Sequence, residues 1–186
     1  MRNYTAHDIA AHLNNYSDHV SHIIVAHTYF RPHNYKQRQI DRMAEQAKKD
    51  CRHALNCFAK LLYPNSPNSP VRKPLLYRPL TFVTIENAKE NLDNDQTIHF
   101  NIAVGKLPKE LLTEDIEILF RNAWVDKAHL ADDIYIASVE DKRSDEYVWN
   151  GYSLKEAQQQ HNLAWKIEGV WDVQNCWIPH AALNMD

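Results

Sequence analysis

The sequence predicts an α+β fold built on an antiparallel sheet. Three observations carry this expectation. Two short alternating runs, residues 80–86 and 97–104, are separated by a polar, turn-forming stretch, as in a hairpin with a long loop. A β-branched and aromatic run precedes them, and another strand-like run follows. Between these strand signals lie two stretches whose apolar residues recur with helical spacing.

Taken in order, residues 22–30 (HIIVAHTYF) read as the first strand. Over residues 39–62, Ile40, Met43, Ala47, Cys51, Leu55, Phe58 and Leu62 form one helical stripe, with Arg42, Lys48, Lys49 and Arg52 away from it. Pro64 stops that helix, and residues 64–70 (PNSPNSP) read as a connector without periodicity. The hairpin strands follow, joined by residues 87–96, and Gly105 and Pro108 end the second of them. Thr113 is the expected N-cap of the second helix, with Glu114 and Asp115 where the helix dipole favours negative charge. Ile116, Leu119, Phe120, Ala123 and Trp124 form its apolar stripe. Residues 134–139 read as a fourth strand, a charged turn follows, and a short helix spans about residues 151–160. Trp165, Ile167, Trp171 and Val173 alternate with polar residues and suggest a last strand. The order β-α-β-β-α-β fits the split βαβ, ferredoxin-like plan, with the two main helices on one face and an added helix after it. Residues 1–20 read as an N-terminal extension, with Ile9, Leu13 and Tyr16 at the spacing of a short helix; residues 21–180 read as one domain.

Composition narrows the class. At 186 residues with 44% hydrophobic and 24% charged side chains, the chain has enough apolar material for one real core. No apolar run approaches the roughly 20 residues needed to cross a bilayer, and no secretion signal opens the chain. Cys51, Cys57 and Cys176 have no metal-binding spacing and read as reduced thiols, so a cytoplasmic location is expected. The net charge of −3 conceals an asymmetry: residues 31–80 hold 11 Lys/Arg against 3 Asp/Glu, and the remainder 10 against 21. One segment can therefore face phosphates while the whole stays acidic. Arg31, Lys36, Arg38 and Arg42 are the expected phosphate contacts, weighed against plain solubility.

Strand alternation groups the candidate site residues. If Ile98, Phe100, Ile102 and Val104 face the core, then His99 and Asn101 face the other way. If Val83 and Ile85 face the core, Thr84 and Glu86 join them on that open side. A carboxylate, an imidazole and an amide oxygen suit Mg²⁺ or Mn²⁺ better than structural zinc. By itself an H-x-N pair is more often just polar decoration on a wet sheet. Further along, Tyr152 and Lys155 stand one turn apart at the start of a helix, where the dipole favours a phosphate. A phenol can attack phosphorus when a metal polarises the phosphate and a cation offsets the charge. Six histidines crowd residues 7–33 at no zinc spacing and read as core or solvent residues, although His27 could reach the sheet's open face. Tyr29 and Tyr35 suit base stacking or packing.

Residues 81–86 (TFVTIE), 98–104 (IHFNIAV) and 151–156 (GYSLKE) resemble the three ordered motifs of the HUH endonucleases, most of all rolling-circle replication initiator (Rep) proteins. The likeness spans roughly residues 20–175. It implies sequence-specific nicking and joining of single-stranded DNA or an origin hairpin with Mn²⁺ or Mg²⁺, through a 5′-phosphotyrosine link and a free 3′-OH. Carried over, Tyr152 is the nucleophile, Lys155 its charge-compensating helper, and Glu86 and His99 are metal ligands. Asn101 stands where the family carries its second histidine. A plasmid, phage or other mobile element would be the host, with unwinding left to a separate helicase because no G-x-x-x-x-G-K-[ST] loop occurs. Two alternatives remain: a single-strand transposase or relaxase of the same superfamily, and a ferredoxin-like module that binds single-stranded nucleic acid without cutting it.

Overall fold

Alternating side chains make the first strand, β1 (Val20–His27), in which His22, Ile24 and Ala26 form a buried inward row. The computed structural model describes residues 15–139 and 172–178. After β1 come helix α1 (Gln37–Leu61), two single-turn helices α2 (Ser69–Arg72) and α3 (Pro74–Tyr77), and strands β2 (Leu80–Glu86) and β3 (His99–Gly105). Helix α4 (Thr113–Arg121) follows, runs into a π-helical turn at Asn122–Lys127, and leads to β4 (Ile134–Ser138). The four strands form one antiparallel sheet in the order β2-β3-β1-β4, so the fold is α+β.

Both main helices cover the same face. From α1, Ala44, Ala47, Cys51, Ala54, Leu55 and Phe58 join Ile24, Ala26, Val83, Ile85, Phe100, Ile102 and Val104 of the sheet. From α4 and the turn after it come Ile116, Phe120, Ala123 and Trp124. Phe120 stacks on Trp124 with ring centroids 5.6 Å apart and meets Phe58 edge-on at 5.4 Å. The Trp124 indole N–H donates to the His27 carbonyl at 3.0 Å, which ties the end of β1 to the helix layer. At the start of α1, Glu90 from the β2–β3 loop accepts the Gln37 N–H, placing a carboxylate at the positive end of the helix dipole.

Several sequence expectations shift. The first strand runs Val20–His27 rather than 22–30, although Thr28 and Phe30 stay tethered to Ile98 by backbone hydrogen bonds. Along α1, Ala44 is buried where Met43 was expected, and Met43 is half-buried. The proline-rich connector is followed by, and partly folds into, α2 and α3, because Pro70 and Pro74 sit in their first turns, where a missing N–H costs nothing. Leu112, not Thr113, caps α4: its N–H donates to Asp115 Oδ2 at 3.0 Å, and the Thr113 hydroxyl lies 3.2 Å from His22 Nε2 instead. Val173, expected in a last strand, lies in an exposed turn; residues 165–171 fall outside the described residues.

That turn belongs to a segment that lines the free edge of β2. Trp177 and Thr81 exchange both backbone hydrogen bonds at 2.9 and 3.0 Å, and the Asp172 N–H donates to the Val83 carbonyl. Asn175 fastens the segment to α1, accepting from Arg52 Nε at 3.0 Å and donating to the Lys48 carbonyl at 2.8 Å. An edge strand is thereby partly covered. Among the described residues no helix is long and apolar enough to cross a membrane.

Candidate functional site

The register sets the site residues side by side. Glu86 pairs with His99 and Thr84 with Asn101 across β2 and β3, while His27 pairs with His99 across β1 and β3. Directly opposed side chains start about 5 Å apart, so Thr84, Glu86, His99 and Asn101 form a two-by-two block on the face away from the helices. His99 Nε2 lies 3.1 Å from Glu86 Oε2. The Asn87 amide nitrogen lies 3.3 Å from His99 Nδ1, and the tautomer that satisfies both contacts carries its hydrogen on Nε2 and donates to Glu86. Asn87 adopts φ 62° just after β2, a conformation asparagine tolerates better than most residues.

The shared face is as the alternation predicts, but it is not open. Glu86 and Asn101 are each 1% exposed, Thr84 2% and His99 7%. The same face also carries a second apolar cluster toward the Leu80 end, in which Tyr16 packs on Phe82 (centroids 5.5 Å apart) beside Val20, Leu80 and Ala103. The burial leaves polar atoms unmatched. Among the described residues, Thr84 Oγ1 and both Asn101 Oδ1 and Nδ2 have no hydrogen-bond partner. Buried polar atoms are nearly always paired, so three unpaired atoms on one cross-strand pair mark a place built for something else.

His27 extends the block toward β1. Its ring stacks on that of His99, centroids 4.7 Å apart and planes 18° off parallel. Its Nδ1 lies 2.8 Å from the Thr97 hydroxyl and 3.8 Å from Asp133 Oδ2. Sequence reasoning singled out His27 for reach but gave no role to Thr97, Asn87 or Asp133. Thr84 was assigned to the face and otherwise passed over; its opposition to Asn101 follows once the hairpin register is known.

Among the described residues no group of three or more His, Cys, Asp or Glu side chains could hold a metal. Any cation here must therefore also use neutral oxygens. Once a cation displaces the His99–Glu86 hydrogen bond, the donors fit that demand: one carboxylate, one imidazole, and an amide oxygen left without a partner among the described residues, a set suited to a hard divalent ion.

The basic residues are arranged differently. Arg31 donates to the carbonyls of Asn94 and Asp95 at 3.4 and 3.2 Å, beside the β2–β3 loop. Lys36 precedes α1, and Arg38 and Arg42 lie in its first turns; all three are exposed on the helix layer, not on the face that carries Glu86 and His99. Tyr29 is also well exposed, and Tyr35 is the less exposed of the two. Tyr152 and Lys155 lie outside the described residues; in sequence they fall between β4, at one edge of the sheet, and Asp172, against β2 at the other. Compared with protein-family models, with curated proteins and with solved structures, the chain matches none.

Proposed function

We propose that this protein is a single-tyrosine HUH-type endonuclease, a Rep-like enzyme that nicks and rejoins single-stranded DNA. The observation that carries the reading is the buried block in which Glu86, His99 and Asn101 share one sheet face, with both polar atoms of Asn101 left unpaired among the described residues. We read the α+β fold, with its antiparallel sheet in the order β2-β3-β1-β4, as a ferredoxin-like split βαβ plan. In this reading Glu86, His99 and Asn101 hold Mn²⁺ or Mg²⁺, whose chemistry is to polarise the scissile phosphate.

Tyr152 Oη attacks phosphorus, the bond from phosphorus to the 3′ oxygen breaks, and that oxygen leaves with a proton as a free 3′-OH. Lys155 offsets the negative charge that builds up. The reverse reaction rejoins the strand. Arg31, Lys36, Arg38 and Arg42 contact the DNA backbone away from the reacting phosphate. Unwinding falls to a separate helicase, and replication of a mobile element in the cytoplasm is the process served.

Incubation of the full chain with labelled single-stranded origin DNA and Mn²⁺, resolved on a denaturing gel, tests the proposal. A covalent protein–DNA band is expected, absent in Tyr152→Phe. Asn101→His, which restores the family's second imidazole, is expected to bind metal at least as well as the parent. Binding of DNA with no adduct under any of these conditions would favour the non-cutting module instead. That module reads bases through exposed aromatics on the sheet, and Phe82, the aromatic on this face of the hairpin, is buried at 3% exposure.

A further inference from the structure

We infer that Thr84 is a fourth group of the cation site, its hydroxyl joining Glu86, His99 and Asn101 in holding a hard divalent ion. The inference rests on the cation reading above and not on DNA cleavage. Thr84 stands directly opposite Asn101 and two residues from Glu86 on the same strand face. It is 2% exposed, and among the described residues its Oγ1 has no hydrogen-bond partner, although Asn101 and Glu86 adjoin it on that face.

A threonine whose only task was to fill space would be better replaced by valine, which has the same shape and no hydroxyl to desolvate. Buried on both faces as it is, β2 carries valine or isoleucine at the adjoining positions, Val83 and Ile85. The hydroxyl at position 84 therefore costs stability unless something meets it. An anion is a poor candidate, because Glu86 lies on the same face and Asn101 offers a single donor group. A cation that keeps part of its water shell suits the set: three oxygens of differing hardness and one imidazole nitrogen can bind it or its waters.

Mn²⁺ titration of the full chain, followed by isothermal calorimetry and by the electron-spin signal of free Mn²⁺, tests this. Thr84→Val is expected to weaken Mn²⁺ binding on the order of tenfold to a hundredfold, the loss seen when a group supporting a metal site is removed. Thr84→Ser, which keeps the hydroxyl, should stay near the parent. A purely structural role would not separate these two variants by affinity. Without Mn²⁺, Thr84→Val should melt no lower than the parent, which sets loss of binding apart from loss of fold. Equal Mn²⁺ affinity in parent and Thr84→Val overturns the role given to Thr84 alone. A parent that binds no Mn²⁺ overturns the cation reading with it. Failure of DNA nicking alongside Thr84-dependent Mn²⁺ binding would leave this inference standing and remove only the nuclease proposal.

Discussion

Replacing Asn101 by leucine separates the stability of the empty site from its capacity to bind. Asn101 is 1% exposed, and neither Oδ1 nor Nδ2 has a partner among the described residues. Each buried, unmatched donor or acceptor costs about 1–3 kcal/mol, so the amide as a whole costs about 2–6 kcal/mol. Leucine branches at the same carbon and puts two methyl groups where the amide atoms stand. Their greater bulk in a filled interior costs about 1–3 kcal/mol. The difference favours the variant by about 2 kcal/mol in the absence of metal. For a domain of this size that raises Tm by about 4–8 °C, at about 2–4 °C per kcal/mol.

Mn²⁺ should reverse the order. A ligand at a hundred times its Kd stabilises the parent by about 2.7 kcal/mol, and the variant, lacking the amide oxygen, should gain much less. The assay is a pair of melting curves, with chelator and with saturating Mn²⁺. The variant should melt higher in the first and no higher in the second. A leucine variant more than about 1 kcal/mol less stable than the parent in chelator would refute the reasoning, because it would mean that the amide has partners in solution.

Two further outcomes test other parts of the fold. A Cβ on Gly105 would lie 1.7 Å from the His19 carbonyl oxygen, next to the irregularity in β1 between Val20 and His22, and backbone cannot yield cheaply there. Gly105→Ala should therefore cost about 3 kcal/mol, and a Tm within about 2 °C of the parent would show that the two strands separate easily at this end. Burial pushes the Asp172 carboxyl up from its ordinary 3.8, partly opposed by the side chain of Asn175 and by Lys48 and Arg52. The folded state thus holds its proton longer than the unfolded chain does, so this residue's stabilising contribution is present at low pH and is lost as pH rises from about 3.8 through the raised value. Tm of Asp172→Asn minus that of the parent should accordingly grow as pH rises from 4 to 7 (about three units, ample for a shifted carboxyl); a difference that stays constant or shrinks would contradict the assignment.

Much of this architecture was legible because it is local. The α1 stripe repeats through seven turns, and no alternative structure puts Ile40, Ala47, Cys51, Leu55 and Phe58 on one side. The facing of His99 and Asn101 followed from period two along β3 once Phe100 and Ile102 were taken as core. What stayed hidden depends on distant chain. Nothing near Trp124 announces that its indole bonds the end of β1, nor that the helix widens into a π-turn there. The stacking of His27 on His99 joins residues whose pairing is set by the whole sheet.

The depth of the site is the instructive case. Strands β2 and β3 are buried at every position, and strands covered on both faces ordinarily read as unbroken apolar runs. These two do not: Thr84, Glu86, His99 and Asn101 fall at alternate positions between apolar residues, the pattern of a sheet with one wet face. Pattern and environment therefore disagree along one row of side chains, at Thr84, Glu86, His99 and Asn101. Glu86 and His99 resolve the conflict by bonding each other. Thr84 and Asn101 leave it unresolved, each keeping polar atoms that the fold does not satisfy. A sequence free to optimise stability would replace both with apolar residues of similar shape. Their retention at the centre of a buried face is the physical ground for treating this row as a binding site, because local rules tend to be broken where function demands it.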